Sequence, residues 1–158
     1  MTLRVLQINA NHDAIAQDLL CQNVAKWGVG LAIVAEPYFV PNRTDWLSDG
    51  PGSVAVIDGG GPNSPPLTLF ERGEGYVVVK WGETVVVDIY CSPNRDFPTL
   101  ERLLDKGGGG VIRRSLHRPV IVAGDPNAKS SKWGSPVTNA RGVALVEWAE
   151  EIGLEVLN

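Results

Sequence analysis

Histidine and cysteine are scarce in this chain: His12, His117, Cys21 and Cys91 are the whole supply in 158 residues. The two cysteines have neither metal-ligand spacing nor a paired framework, so they read as small hydrophobic residues of a reducing compartment. His12 falls at a helix start and His117 in a basic linker, and both read as surface residues rather than catalysts. No apolar run approaches the ~18 residues of a membrane span, and the N-terminus leads into a strand without a signal-type segment. The reading is a soluble intracellular chain with no membrane partner. A G-x-S-x-G elbow, a G-x-x-x-x-G-K-[ST] loop and an H-E-x-x-H helix are all absent, and the glycines at 59–61 and 107–110 lack the lysine that a phosphate loop needs. Basic charge is short too: 14 Lys and Arg against 18 Asp and Glu leave a net charge of −4. That argues against a protein whose main task is to coat nucleic acid, since non-specific affinity comes mostly from cations that release counterions.

What is present is ordinary globular material, 44% hydrophobic and 20% charged, in one domain's length. Short aliphatic, β-branched runs bounded by turn formers predict strands at 3–8, 31–35, 53–57, 75–80, 84–90 and 119–124. The pair 75–80 and 84–90, separated by Trp81-Gly82-Glu83, predicts an antiparallel hairpin. Asn11 or Asp13 can cap a helix with Ala16, Leu20, Val24 and Trp27 inward, and Asp96 a helix with Phe97, Leu100, Leu103 and Leu104 inward. Gly107 to Gly110 cost roughly 1 kcal/mol each against alanine, so that helix is expected to stop or weaken there and resume over 111–116. A last helix over 141–152 places Leu145, Trp148, Ala149 and Ile152 on one face, with Gly153 as its stop and a short final strand at 154–157. Segments 37–52 and 58–66 read as loops.

The chemistry gathers at strand ends. The first strand runs into Asn9, the second into Glu36, the hairpin's return strand into Tyr90, and Pro119-Val-Ile-Val-Ala-Gly124 into Asp125 and Asn127. Gly-Asp-Pro-Asn is also good turn chemistry, and alone it would be read that way. Four strands ending alike change the reading. If the ends share one sheet edge, two carboxylates, two carboxamides and a phenol meet with almost no basic residue at the centre. Such a set suits a hard divalent cation, Mg²⁺ or Mn²⁺, and phosphoryl chemistry. A nuclease escapes the charge objection in part, because bound metal offsets its acids and it needs only a brief encounter. Lys129, Lys132 and Arg141 follow the Asp125 loop, and Arg113, Arg114, His117 and Arg118 precede it; most read as solvated surface charges.

Gln7-Ile8-Asn9, Ala35-Glu36-Pro37, Ile89-Tyr90-Cys91-Ser92-Pro93-Asn94, Gly124-Asp125-x-Asn127-Ala128 with Trp133-Gly134, and Thr138-Asn139-Ala140-Arg141-Gly142 occur in one order. That order resembles the exonuclease-endonuclease-phosphatase superfamily, and most of all the apurinic-endonuclease-like endonuclease domain of site-specific non-LTR retrotransposons. The resemblance implies a four-layer α/β/β/α sandwich, incomplete at the C-terminus, in which 1–158 form the N-terminal portion of a single endonuclease domain. It implies Mg²⁺-dependent nicking of a double-stranded DNA target in the nucleus, with a reverse transcriptase domain as partner in the parent polyprotein. By the same resemblance Glu36 and Asn9 hold the metal, Asp125 activates water, Asn127 holds the phosphate and developing oxyanion, and Tyr90 bonds the scissile phosphate. Lys129, Lys132, Trp133 and Arg141 are then the DNA-contact candidates.

Three departures from the family pattern stand out. Pro126 replaces the usual Phe, Asn139 stands where Asp is common, and the family's later Ser-x-Ile-Asp and Ser-Asp-His motifs have no counterpart. The expectation is therefore a chain with little or no nicking activity by itself. Two other readings stay open: a phosphatase or phosphodiesterase of the same superfamily, and a non-enzymatic remnant of a retroelement.

Overall fold

The computed structural model describes residues 2–61, 63–115 and 117–157. Two four-stranded sheets stack face to face. The first has the order β1 (Val5–Asn9), β2 (Leu31–Ala35), β4 (Val54–Asp58), β3 (Trp46–Ser48), with β1 and β2 parallel and the rest antiparallel. The second runs β5 (Leu67–Gly73), β6 (Tyr76–Trp81), β7 (Thr84–Tyr90), β8 (Val120–Asp125), antiparallel except for the parallel pair β7 and β8. Between the sheets lie Leu31, Ile33, Val54 and Val56 against Val77, Val79, Trp81 and Val86. Because β2, β4, β6 and β7 are covered on both faces, they read as nearly unbroken aliphatic runs.

Helix α1 (Ala14–Lys26) covers the outer face of the first sheet through Leu20 and Val24. Helices α2 (Phe97–Leu104), α3 (Gly110–Arg114) and α4 (Ala140–Glu151) cover the outer face of the second. The result is the expected α/β/β/α order of layers. Asp13 and Asp96 cap α1 and α2, and Asn139 caps α4, each accepting from a first-turn N–H.

Several expectations need correction. The helix does not stop at its glycines: Asp105–Gly109 form a π turn that runs directly into α3. Val111 and Ile112 are buried with Leu100, Leu103 and Leu104, and at about 1.5–3 kcal/mol per buried aliphatic side chain this offsets the glycine cost. A side chain at Gly109 would press on the Leu104 carbonyl, which instead accepts from Trp148 Nε1 at 3.1 Å. Leu116, where that turn was expected to end, and Pro62 of the 58–66 loop lie outside the described residues. Trp27 is not inward but a half-exposed C-cap, and Cys21 is exposed whereas Cys91 is buried. Strands β3 and β5 went unforeseen; β5 shifts register between Leu69 and Glu71, and this breaks the alternation that marks a strand. Residues 154–157 form no strand, as no described neighbour pairs with them, and Leu157 is 91% exposed. Among the described residues no helix is long and apolar enough to cross a membrane.

Candidate active site

Parallel pairing sets the site. In one sheet Asn9 lies in register with Ala35, so Asn9 and Glu36 leave the same edge; in the other Tyr90 lies in register with Asp125. Strands β1 and β8 are the free edges of their own sheets, and side chains stitch them together. Gln7 Oε1 accepts from Gly124 N at 3.1 Å. Asn9 Nδ2 donates to Asp125 Oδ2 at 2.8 Å and to Glu36 Oε1 at 3.3 Å. The amide cannot readily turn over, because Asn9 Oδ1 accepts from Asn11 N at 2.8 Å. All four strand-end residues therefore meet, and Asn9 faces both acids with its nitrogen.

The Asp125 loop is held from behind. Gly124 has φ +114°, and a Cβ there would sit 2.0 Å from the Ile89 carbonyl, so only glycine allows β8 to reach the edge. Asp125 Oδ1 accepts from Asn127 N at 2.9 Å, and Asn127 Nδ2 donates to Cys91 O at 2.9 Å. Arg141 spends its guanidinium on this loop and its neighbour: Nη1 donates to Pro126 O and Asn127 O, and Nη2 to Ser92 O, Arg95 O and Cys91 Sγ. Asn139 Oδ1 accepts from both Lys129 N and Gly142 N. At Gly142 a Cβ would fall 1.7 Å from the Lys129 carbonyl. The Thr138 to Gly142 motif is thus a clamp on the loop.

Among the described residues only four non-glycines have positive φ, Asn11, His12, Glu36 and Asn127, and all belong to this site. Each such conformation costs roughly 1–3 kcal/mol and persists where surrounding structure over-determines it. The Glu36 backbone is over-determined: its N–H donates to Ser53 O and its carbonyl accepts from His12 N. Its side chain is 15% exposed, with Oε2 3.1 Å from His12 Nε2. Burial, then the adjacent Glu36 carboxylate, push the Tyr90 phenol up to about 12, so it keeps its proton and can donate.

The donor chemistry fits a hard cation. No three His, Cys, Asp or Glu side chains among the described residues form a metal cage. An ion that takes one or two carboxylates and fills its shell with water and phosphate oxygens is what Glu36 and Asp125 suit. Asn9 fits less directly as a ligand, since it offers nitrogen to the acids.

Of the DNA-contact candidates, Lys129 is exposed, Trp133 Nε1 is tied to Ala128 O, and Lys132 lies 3.6 Å from Glu150. Arg141 is turned inward. Sequence reasoning missed His12 at Glu36 and Gln7 at Gly124; both alternate with or follow Asn9, but nothing in the sequence says what they face. A cavity of about 1000 Å³ opens beside the site, lined by β1, β8 and 152–157, and it takes in Asp125 but not Asn9, Glu36 or Tyr90.

Residues 84–158 match the endonuclease-reverse transcriptase family. Among solved structures, the endonuclease domain of TRAS1, a telomere-specific non-LTR retrotransposon, is similar with a TM-score of 0.82 at 27% identity, over 99% of this chain and 74% of that one. A humanized D. rerio TDP2 shares the fold alone, with a TM-score of 0.50 at 12% identity, over 98% of this chain and 68% of that one. No curated protein matches.

Proposed function

We propose, from the premise that this chain belongs to the exonuclease-endonuclease-phosphatase superfamily, that it forms the catalytic pocket of a metal-dependent DNA endonuclease. The observation that carries the reading is the single Asn9 amide joined to Glu36 and Asp125, which brings carboxylates from two different sheets to one point. Similarity to a retrotransposon endonuclease domain supports double-stranded DNA as substrate, a nuclear place of work and a reverse transcriptase as covalent partner.

Glu36 would hold a divalent cation, Mg²⁺ or Mn²⁺, which would supply positive charge against the phosphate. The chain's own residues do the rest. Asp125, with one oxygen held by Asn127 N and the other by Asn9, is oriented to take a proton from the attacking water. Asn127 has one Nδ2 proton beyond that given to Cys91 O, and Tyr90 keeps its phenolic proton; both can donate to charge growing on the phosphate. Arg141 keeps Asn127 where this is possible, and Lys129 and Trp133 form the rim along which a duplex would lie.

Nicking of supercoiled plasmid in Mg²⁺, expected to be weak from this chain alone, tests the reading. Glu36→Ala and Asp125→Ala should each lower the rate by roughly 10² or more. Nicking that survives both substitutions would sink it. Hydrolysis of bis(p-nitrophenyl) phosphate without DNA cleavage would instead favour a phosphodiesterase of the same superfamily.

A further inference from the structure

The segment after Glu36 does something the pocket does not require. Tyr38 and Phe39 stand 59% and 62% exposed, adjacent in the chain, two and three residues from Glu36. They are not on a loose loop. Gln17, from α1, grips their backbone with three hydrogen bonds: Nε2 donates to Phe39 O at 2.7 Å, and Oε1 accepts from Tyr38 N at 2.7 Å and Phe39 N at 3.2 Å. Pro37 and Pro41 fix φ on either side. Large aromatics normally bury their area, so two rings held outward on a pinned backbone are prepared for something that arrives.

Beside them a groove of about 620 Å³ runs back to Trp46 and Leu47. Its two cations differ. Arg43 is consumed by both carboxylate oxygens of Asp45, at 2.9 and 2.8 Å. Arg72 is exposed at the groove, and its side chain has no hydrogen bond or ion pair among the described residues. Flat apolar rings with an unspent guanidinium match a nucleobase with its phosphate, since every base has a face to stack and every nucleotide a charge to meet. The reach also agrees. Two or three residues span at most about 7–11 Å from Glu36, so a nucleotide stacked on the rings would neighbour the one whose phosphate is cut.

We infer that Tyr38, Phe39 and Arg72 form a subsite for an unstacked nucleobase of the DNA, adjacent to the scissile phosphate; this rests on the endonuclease reading above. The subsite reads no sequence by hydrogen bonding. It selects DNA that can give up a base from its stack, at an unpaired position or an easily opened step.

The test is binding by the full chain, in EDTA and at fixed salt, to labelled duplexes with and without one unpaired 2-aminopurine. The wild type should prefer the unpaired base and change its 2-aminopurine fluorescence. Tyr38→Ala with Phe39→Ala should lose roughly tenfold in affinity together with that preference. Exchanging the rings, Tyr38→Phe with Phe39→Tyr, should keep both, and paired leucines should not. Arg72→Gln should weaken both duplexes alike and reduce the salt slope by about one. Both rings are exposed, and matching melting curves check that the variants fold. Wild-type affinity and preference in the double alanine variant would overturn the subsite, as would ring-dependent self-association with unchanged DNA binding. Failure of the wild type to bind either duplex would instead overturn the endonuclease reading, and the subsite with it.

Discussion

Asn9 donates to Asp125 at 2.8 Å across the seam between two sheets, although the two residues are 116 positions apart. The same nitrogen reaches Glu36 at 3.3 Å, so one neutral side chain holds two acids that would otherwise repel. Asn9→Ala should release both. A hydrogen bond to a charged group contributes about 1.5–3 kcal/mol, less where water competes, and Asn9 is exposed. The expected loss is about tenfold or more in nicking rate with little change in melting temperature. Asn9→Asp should be worse than alanine, because it adds a third negative charge.

Metal binding should register as stability before any turnover is measured. A ligand bound only by the folded chain at 100 times its Kd adds about 2.7 kcal/mol. Titrating Mg²⁺ or Mn²⁺ should raise the melting temperature of the wild type and leave that of Glu36→Ala unmoved. A flat titration of the wild type would count against the cation site.

Arg141 joins the loop at Pro126 and Asn127 to the turn after β7 at Ser92 and Arg95. Lysine cannot reproduce that fork. Arg141→Lys should therefore slow nicking nearly as far as Arg141→Ala. In both variants the Asn127 side-chain amide should shift in an ¹⁵N correlation spectrum while most of the spectrum stays in place. An unshifted Asn127 amide would mean that Arg141 does not position it.

Gly124→Ala puts a methyl group into the Ile89 carbonyl at a φ that alanine resists. The expected cost is about 3 kcal/mol or more, read from the urea midpoint. Gly110→Ala, at a helical φ with its nearest contact at 3.8 Å, should be neutral or stabilising by about 0.5–1 kcal/mol.

Asp88 sits wholly buried between the sheets, and neither carboxyl oxygen has a hydrogen bond of acceptable geometry. Burial, and then the charge of Asp49, hold its pKa well above 3.8; the Val34 and Ala55 amides offset this only in part. The folded chain therefore keeps a proton that the unfolded chain releases from about pH 4 upward. Its stability should fall as pH rises above that value toward the raised folded pKa. Asp88→Asn should flatten this slope in urea unfolding between pH 4.5 and 8, and an unchanged slope would show that Asp88 is not its source.

Much of this was legible in the sequence, because the strong signals are local. Aliphatic runs bounded by turn formers located β1, β2, β4, β6, β7 and β8, and Asp13, Asp96 and Gly153 bounded helices by chemistry they carry themselves. Asn9, Glu36, Tyr90 and Asp125 stood out since each ends a strand, and parallel pairing brings such ends to one edge. Other features had no local signature. The π turn over Asp105–Gly109 exists because distant residues bury Val111 and Ile112, and β5 was hidden by its bulge. His12 looked like a surface residue, and is one, yet left-handed turns aim it at Glu36.

The amino-acid sequence by itself determined which groups the chain presents and at which strand ends, since side-chain type and hydrophobic period are properties of short segments. Only the tertiary structure decided what those groups do to one another. Asn9 became the tie between two acids, Arg141 a clamp instead of an open cation, and Tyr38 and Phe39 a displayed pair. Each outcome depends on a hydrogen bond closed over many residues, and geometry at that range is set by how helices, loops and sheets pack.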